Sequence, residues 1–119
     1  MSYSGYRNAS NLGGANQVET EILALGLCND RLSKATDHRT RVEALSRNHT
    51  MWSMFLRDLS NPHNRLPQSI KDQLTPLALW SMAYTTQALT KNLTLKPLIE
   101  VNRNIQDGLR MQAARTTAS

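Results

Sequence analysis

The chain has 119 residues, 39% hydrophobic and 19% charged, a length and balance that allow one domain with one modest core and exclude a disordered polyelectrolyte. No apolar run approaches the roughly 20 residues of a bilayer span, and the opening MSYSGYRNASNLGGANQ lacks the apolar centre of an export signal, so no membrane insertion and a cytoplasmic location are expected. The formal charge of +5 permits an acidic or nucleic-acid partner without requiring one.

Residues 1–16 and 113–119 are rich in Gly, Asn, Ser, Thr and Ala without apolar period; they read as flexible tails around a helical domain over 17–112. The first helix is predicted over about 17–36, with Val18, Ile22, Leu25 and Leu32 on one side. Glu19 and Glu21 suit its positive N-terminal end. The second begins at Asp37, a plausible N-cap, carries Leu45, Trp52, Leu56 and Leu59 on one stripe, and stops at the turn formers Ser60-Asn61-Pro62-His63-Asn64.

The third helix opens at Leu66-Pro67 and continues to about residue 90 through Ile70, Leu74, Leu77, Ser81, Tyr84 and Ala88. Ser81, small and mid-stripe, predicts close approach of another helix. Pro76 predicts a kink, or a restart capped by Thr75, because an interior proline frees the carbonyl four residues back and clashes with it. The fourth helix is predicted over about 96–112. No stretch alternates with period two, so the fold class is all-α: a small antiparallel bundle of about four helices joined by short connections. Trp52 and Trp80 are both expected in its core.

Within the last helix, LIEVNRNIQDGL at 98–109 puts Leu98, Val101, Ile105 and Leu109 on one side and Glu100, Arg103, Asp107 and Arg110 opposite. The charged side can form an alternating-sign ladder through Arg103, worth about 0.2 to 0.5 kcal/mol per pair. Asn102 falls at the edge of the apolar stripe, where an unpaired amide would cost roughly 1 to 3 kcal/mol. It therefore either bonds a neighbouring helix and fixes register, or meets a partner chain. Asn48 shares a side with Trp52, and His49 lies between Val42 and Leu56.

Chemistry-bearing patterns are absent. The lone Cys28 has no disulfide partner, and with His38, His49 and His63 it has no metal-ligand spacing. HExxH, GxSxG, P-loop and GxGxxG patterns do not occur, so no enzyme and no cofactor are expected. Arg31, Lys34, Arg39, Arg41 and Arg47 read first as a solvated basic face and second as an RNA surface. With 5% aromatic residues, platforms for stacking bases are scarce, and direct nucleic-acid contact is not expected.

Apolar residues also miss the principal stripes: Leu23 and Leu27, Met51 and Met54, Leu79 and Met82. Either the bundle wraps one helix on more than one side, or Met51, Met54, Leu79 and Met82 line part of a groove for an amphipathic helix, a role that suits unbranched, polarizable methionine.

Three segments, NHTMWSMF at 48–55, NPHNRLPQSIKDQLTPLALW at 61–80 and LIEVNRNIQDGL at 98–109, resemble the flagellar biosynthesis regulator FlaF family. The family pattern has an Asn-x-x-x-Trp-x-x-Phe element, an Asn-x-Leu-Pro segment leading into a helix that ends Leu-Trp, and a Leu-Ile-Asp-x-Asn-Arg-x-Ile-x-x-Gly-Leu end. The last is the most specific: Leu98, Ile99, Asn102, Arg103, Ile105, Gly108 and Leu109 match, with Glu100 for Asp. The resemblance covers about residues 17–110, with Val-Glu-Thr-Glu at 18–21 similar to the family's first-helix start. It implies a small helical protein needed for flagellin production and secretion, acting with flagellin and with FlbT, a regulator of flagellin messenger RNA translation. Flagellin's amphipathic terminal segments, disordered before assembly, would then occupy the groove, with Asn102 and Arg103 of the last motif as further candidate contacts. The alternatives are a translational regulator acting through FlbT or flagellin mRNA, and a homodimer that pairs its own surplus apolar faces.

Overall fold

The computed structural model of the chain describes residues 14–118, with side chains over 17–115; of the tail expected over 1–16, residues 1–13 lie outside them. Four helices follow in order: α1 Gly14–Lys34, α2 His38–Leu59, α3 Gln68–Thr90 and α4 Lys96–Ala118. No strand occurs among the described residues, and the antiparallel all-α bundle expected from the periodicity is what forms. The helices stand in a ring, α1 beside α2 and α4, and α3 beside α2 and α4. No helix is central, so wrapping does not explain the surplus apolar residues.

Local chemistry sets the joints. Asp37 caps α2 reciprocally: the Thr40 amide donates to Asp37 Oδ1 at 2.8 Å, and the Asp37 amide donates to Thr40 Oγ1 at 3.2 Å. The Thr40 amide, together with the Thr40 hydroxyl, which also donates to Asp37 Oδ1 at 2.8 Å, holds the Asp37 carboxyl below its ordinary range. Between α2 and α3, Asn61 Oδ1 accepts from the His63 amide at 2.9 Å and Asn64 Oδ1 from the Leu66 amide at 3.0 Å. Two successive asparagine turns thus fold the Asn-Pro-His-Asn-Arg-Leu-Pro tract. At the far end of α3, Arg41 Nη2 donates to the carbonyls of Ala88 and Lys91, both at 3.4 Å, and to that of Leu93. A cation there satisfies orphan carbonyls and suits the negative helix end, so Arg41 belongs to the bundle rather than to a free basic face.

Three boundary expectations are corrected. α1 starts at Gly14 and ends at Lys34, which places Glu21 two turns inside the helix, too far in to serve its positive end. α4 continues through residues 113–118, where a flexible tail was expected; Ala113 packs against the core, and Gln, Ala and Arg are good helix formers. α3 does not restart at Pro76 but runs as one helix through it. Thr75 is not a cap: its hydroxyl donates back to the Lys71 carbonyl at 2.8 Å. Pro76 and Asp72 are both exposed, so the carbonyl that proline leaves unpaired faces water.

The core has two apolar parts. One contains Val18, Leu25, Trp52, Phe55, Leu59, Leu66, Leu74, Ala78, Ile105 and Leu109; the other contains Leu32, Ala44, Leu45, Ala88 and Leu98. In each helix the switch between parts falls at a polar residue: Asn29 in α1, Asn48 in α2, Ser81 and Thr85 in α3, Asn102 in α4. These residues form a layer across the bundle. Trp52 Nε1 donates to Asn102 Oδ1 at 2.9 Å, and Asn102 Nδ2 donates to Asn48 Oδ1 at 2.8 Å and Asn29 Oδ1 at 3.0 Å. Asn48 Nδ2 donates to Thr85 Oγ1 at 3.2 Å, whose hydroxyl donates to the Ser81 carbonyl at 2.6 Å. Asn29 Nδ2 donates to the Ile99 carbonyl at 3.0 Å. Nearby, α1 and α4 approach so closely that a Cβ on Gly26 would stand 2.8 Å from Gln106 Nε2, which donates to the Ile22 carbonyl at 3.0 Å. Glycine leaves the room that this bond uses.

Asn102→Ala strips partners from the Trp52 indole N–H and two asparagine oxygens at once; at about 1 to 3 kcal/mol per orphaned buried group, stability should fall by more than about 3 kcal/mol in denaturant titration. The two tryptophans part company: Trp52 is 0% exposed and stacked on Phe55 at 5.3 Å, whereas Trp80 is 40% exposed beside Tyr84. Contrary to the expectation of two core tryptophans, Trp80→Ala should cost under half of what Trp52→Ala costs, the latter roughly 3 to 5 kcal/mol.

Candidate partner-binding groove

α1 lies closely along α4 and α2 closely along α3, while α1 and α2 meet less intimately. A groove of about 700 Å³ runs along the outer side of the α1–α2 pair. Its lining comes from α1 side chains at 20, 21, 24, 27, 28 and 31 and from α2 side chains between 42 and 58. The spacing is helical, so one face of each helix supplies the wall. With a rise of about 1.5 Å per residue, the lining spans about 17 Å of α1 and about 24 Å of α2, enough for a partner helix of three to four turns.

The groove is graded along its length. Because the helices run antiparallel, Glu21 from early α1 meets Asp58 from late α2 at one end, and Arg31 meets Arg47 at the other. Ala24, Leu27, Cys28, Met51, Met54 and Phe55 make an apolar middle. Leu27 is 58% exposed and Met54 50%, so the middle is open to water, with buried Cys28 and Phe55 beneath. Glu43, also at the basic end, has a partner in Arg39 at 3.4 Å.

Two groups on the groove wall have unusual acidities. Glu21 is 7% exposed, and neither of its carboxyl oxygens has a hydrogen-bond partner among the described residues. Burial pushes its carboxyl from an ordinary 4.5 up to about 8, with the nearby Asp58 adding through its charge and through a proton the two can share. No hydrogen bond of normal geometry joins the pair as they stand, so desolvation is the cause that matters. The Cys28 thiol is likewise raised by burial, to about 11, against the opposing pull of Arg31 and Arg47. It is a neutral thiol at physiological pH, not a nucleophile. No group of three or more His, Cys, Asp or Glu that could hold a metal occurs among the described residues.

The residues singled out from the sequence do not all meet here. Met51 and Met54 line the groove. Leu79 and Met82 do not: both belong to α3, Leu79 being 54% exposed elsewhere on the surface and Met82 packed against the core. Asn102 is 0% exposed within the polar layer, so it holds the bundle together and offers no partner contact in this conformation. Arg103 is exposed on α4, away from the groove, and makes no ion pair with any described residue; of the expected ladder only Arg110–Asp107 forms, at 3.2 Å. Leu27, noted as surplus without being assigned to the groove, belongs to it. Ala24, Glu21 and Asp58 carried no signal as members of a site, because the site exists only once α1 and α2 are placed side by side. Gly108 of the last motif has open space where a Cβ would stand, and packing among the described residues does not explain it.

A family model described as flagellar protein FlaF matches residues 2–109, reaching further toward the N-terminus than the resemblance read from the three segments. No curated protein and no solved structure matches the chain. No helix among the described residues is long and apolar enough to cross a membrane.

The Glu21 carboxyl makes stability depend on pH. Its folded value, about 8, exceeds the unfolded 4.5, so the folded state holds the extra proton between those values. The stabilisation is complete below pH 4.5 and is lost as pH rises through about 8. Glu21→Gln removes the titration; its melting temperature should exceed that of the wild type by more at about pH 9 than at about pH 5, the gap growing to a few kcal/mol in unfolding free energy.

Proposed function

Since the chain belongs to the FlaF family of flagellar proteins, we propose that it is a flagellin-binding chaperone that also promotes flagellin synthesis. An amphipathic terminal segment of flagellin lays its apolar face on Ala24, Leu27, Met51 and Met54 and is thereby kept from aggregating until export. The single observation that supports this reading most is the open apolar middle of the α1–α2 groove, with Leu27 and Met54 half or more exposed. A bundle with no use for these side chains would gain solubility from polar ones at the same positions. Methionine adds adaptability, since its unbranched chain repacks around different apolar partners.

The alternative of translational control by RNA contact receives less support. Arg41 is committed to the end of α3, and Arg39 to Glu43, which thins the cations free for phosphate.

Leu27→Ser with Met54→Ser should weaken capture of flagellin monomer at least ~10-fold in a binding titration, as loss of central apolar contacts does, with the melting temperature unchanged. Leu79→Ser, exposed but outside the groove, should leave affinity as it was. Raising salt from about 50 to 200 mM should weaken affinity no more than about 10-fold; a loss on the order of 10³-fold or more would favour phosphate contacts instead.

A further inference from the structure

The groove has a direction built into it. At one end stand two carboxyl groups from different helices, Glu21 and Asp58, and neither has a cationic partner among the described residues. Glu21 is more than nine-tenths buried with both oxygens unbonded. The Glu21 carboxyl holds a proton at neutral pH because burial raises it to about 8, and an incoming ammonium or guanidinium favours its ionised form, exchanging that proton for a direct charge pair. At the other end stand Arg31 and Arg47, while Glu43 there is engaged by Arg39.

An α-helix carries the complementary polarity, positive at its N-terminus and negative at its C-terminus. We propose that the groove takes an amphipathic partner helix in one direction only, with a lysine or arginine of its first turns on Glu21 and Asp58 and its carboxyl end against Arg31 and Arg47. The partner helix then runs parallel to α1 and antiparallel to α2. This rests on the groove being the flagellin site, and it deepens that reading by naming the charge pattern and orientation of the segment bound. The apolar middle supplies the attraction; the two ends choose among apolar helices by their charge order, a discrimination that apolar contact alone does not provide.

Two synthetic helical peptides of identical composition test the inference on the full chain. Both carry the same apolar face and the same side-chain crosslink on the face turned away from the groove, which equalises their helicity. One has lysines in its first turn and glutamates in its last; the other has them exchanged. The lysine-first peptide should bind at least ~10-fold tighter by fluorescence anisotropy at low salt, the size of a coupling between close charge pairs. In the double variant Glu21→Gln, Asp58→Asn the preference should vanish. Equal affinities, a reversed preference, a preference that survives the double variant, or no binding of either peptide would each overturn the inference. If flagellin capture depends on Leu27 and Met54 while the peptides show no preference, the groove assignment stands and the direction fails. If the peptides show the preference while flagellin capture ignores Leu27 and Met54, the polarity stands and flagellin is not the occupant.

Discussion

The indole of Trp52 offers one hydrogen and no lone pair, and at the centre of the bundle it meets Asn102 Oδ1 at 2.9 Å. That contact decides the orientation of everything polar around it. With its oxygen taken, Asn102 must turn both amide hydrogens outward, to the oxygens of Asn29 and Asn48. Asn48 is then left to donate to Thr85, and Thr85 to the Ser81 carbonyl. A donor-only group thus sets the direction of a chain of bonds that touches all four helices. The layer crosses the bundle diagonally, from α2 to α4, where the helix backbones do not themselves meet. Sliding any helix by one turn would replace a satisfied amide with an orphaned one, so the layer fixes register where apolar packing alone would tolerate several.

Fixed register has a consequence on the outside. Each helix must present its layer residue inward, and the stripes on either side of that residue follow. Leu27 of α1 and Met54 of α2 cannot then turn into the core, because Asn29, Asn48 and Trp52 hold the inward faces. These side chains gather on the outer side of α1 and α2, which pack less closely on each other than α1 on α4 or α2 on α3, and the groove is the result. Its acidic and basic ends follow from antiparallel pairing, which sets Glu21 beside Asp58 and Arg31 beside Arg47. Fold and site are consequently one arrangement seen from two sides.

Helix periodicity made much of this legible in the sequence. The inward residues Val18, Leu25, Leu32, Leu45, Trp52, Leu74 and Leu98 recur at helical spacing, and the reading that Asn102 would bond a neighbouring helix was open because an asparagine among leucines must find partners. Its partners were not legible, since Asn29 lies 73 residues away and nothing local marks it. Trp80 misled for a related reason: size and hydrophobicity suggest burial, but its place at the margin of the α3 stripe leaves it 40% exposed. Leu79 and Met82 group with Met51 and Met54 in the sequence because all four miss their stripes, and stripes say which residues are surplus without saying which surpluses become neighbours. The charged ends of the groove were unreadable, because a glutamate near a helix start looks like a helix-end charge until the start moves to Gly14.

Methionine methyl groups give the most direct view of whether the α1–α2 face is the one that receives a partner. Met51 and Met54 stand in the groove, Met82 against the core on α3, and Met111 on the surface of α4. With the methyls labelled with carbon-13 and unlabelled flagellin monomer added, the account predicts that the Met51 and Met54 resonances shift or broaden while those of Met82 and Met111 stay in place. Movement of Met111 with Met51 and Met54 unchanged would put the partner on the opposite side of the bundle and contradict it.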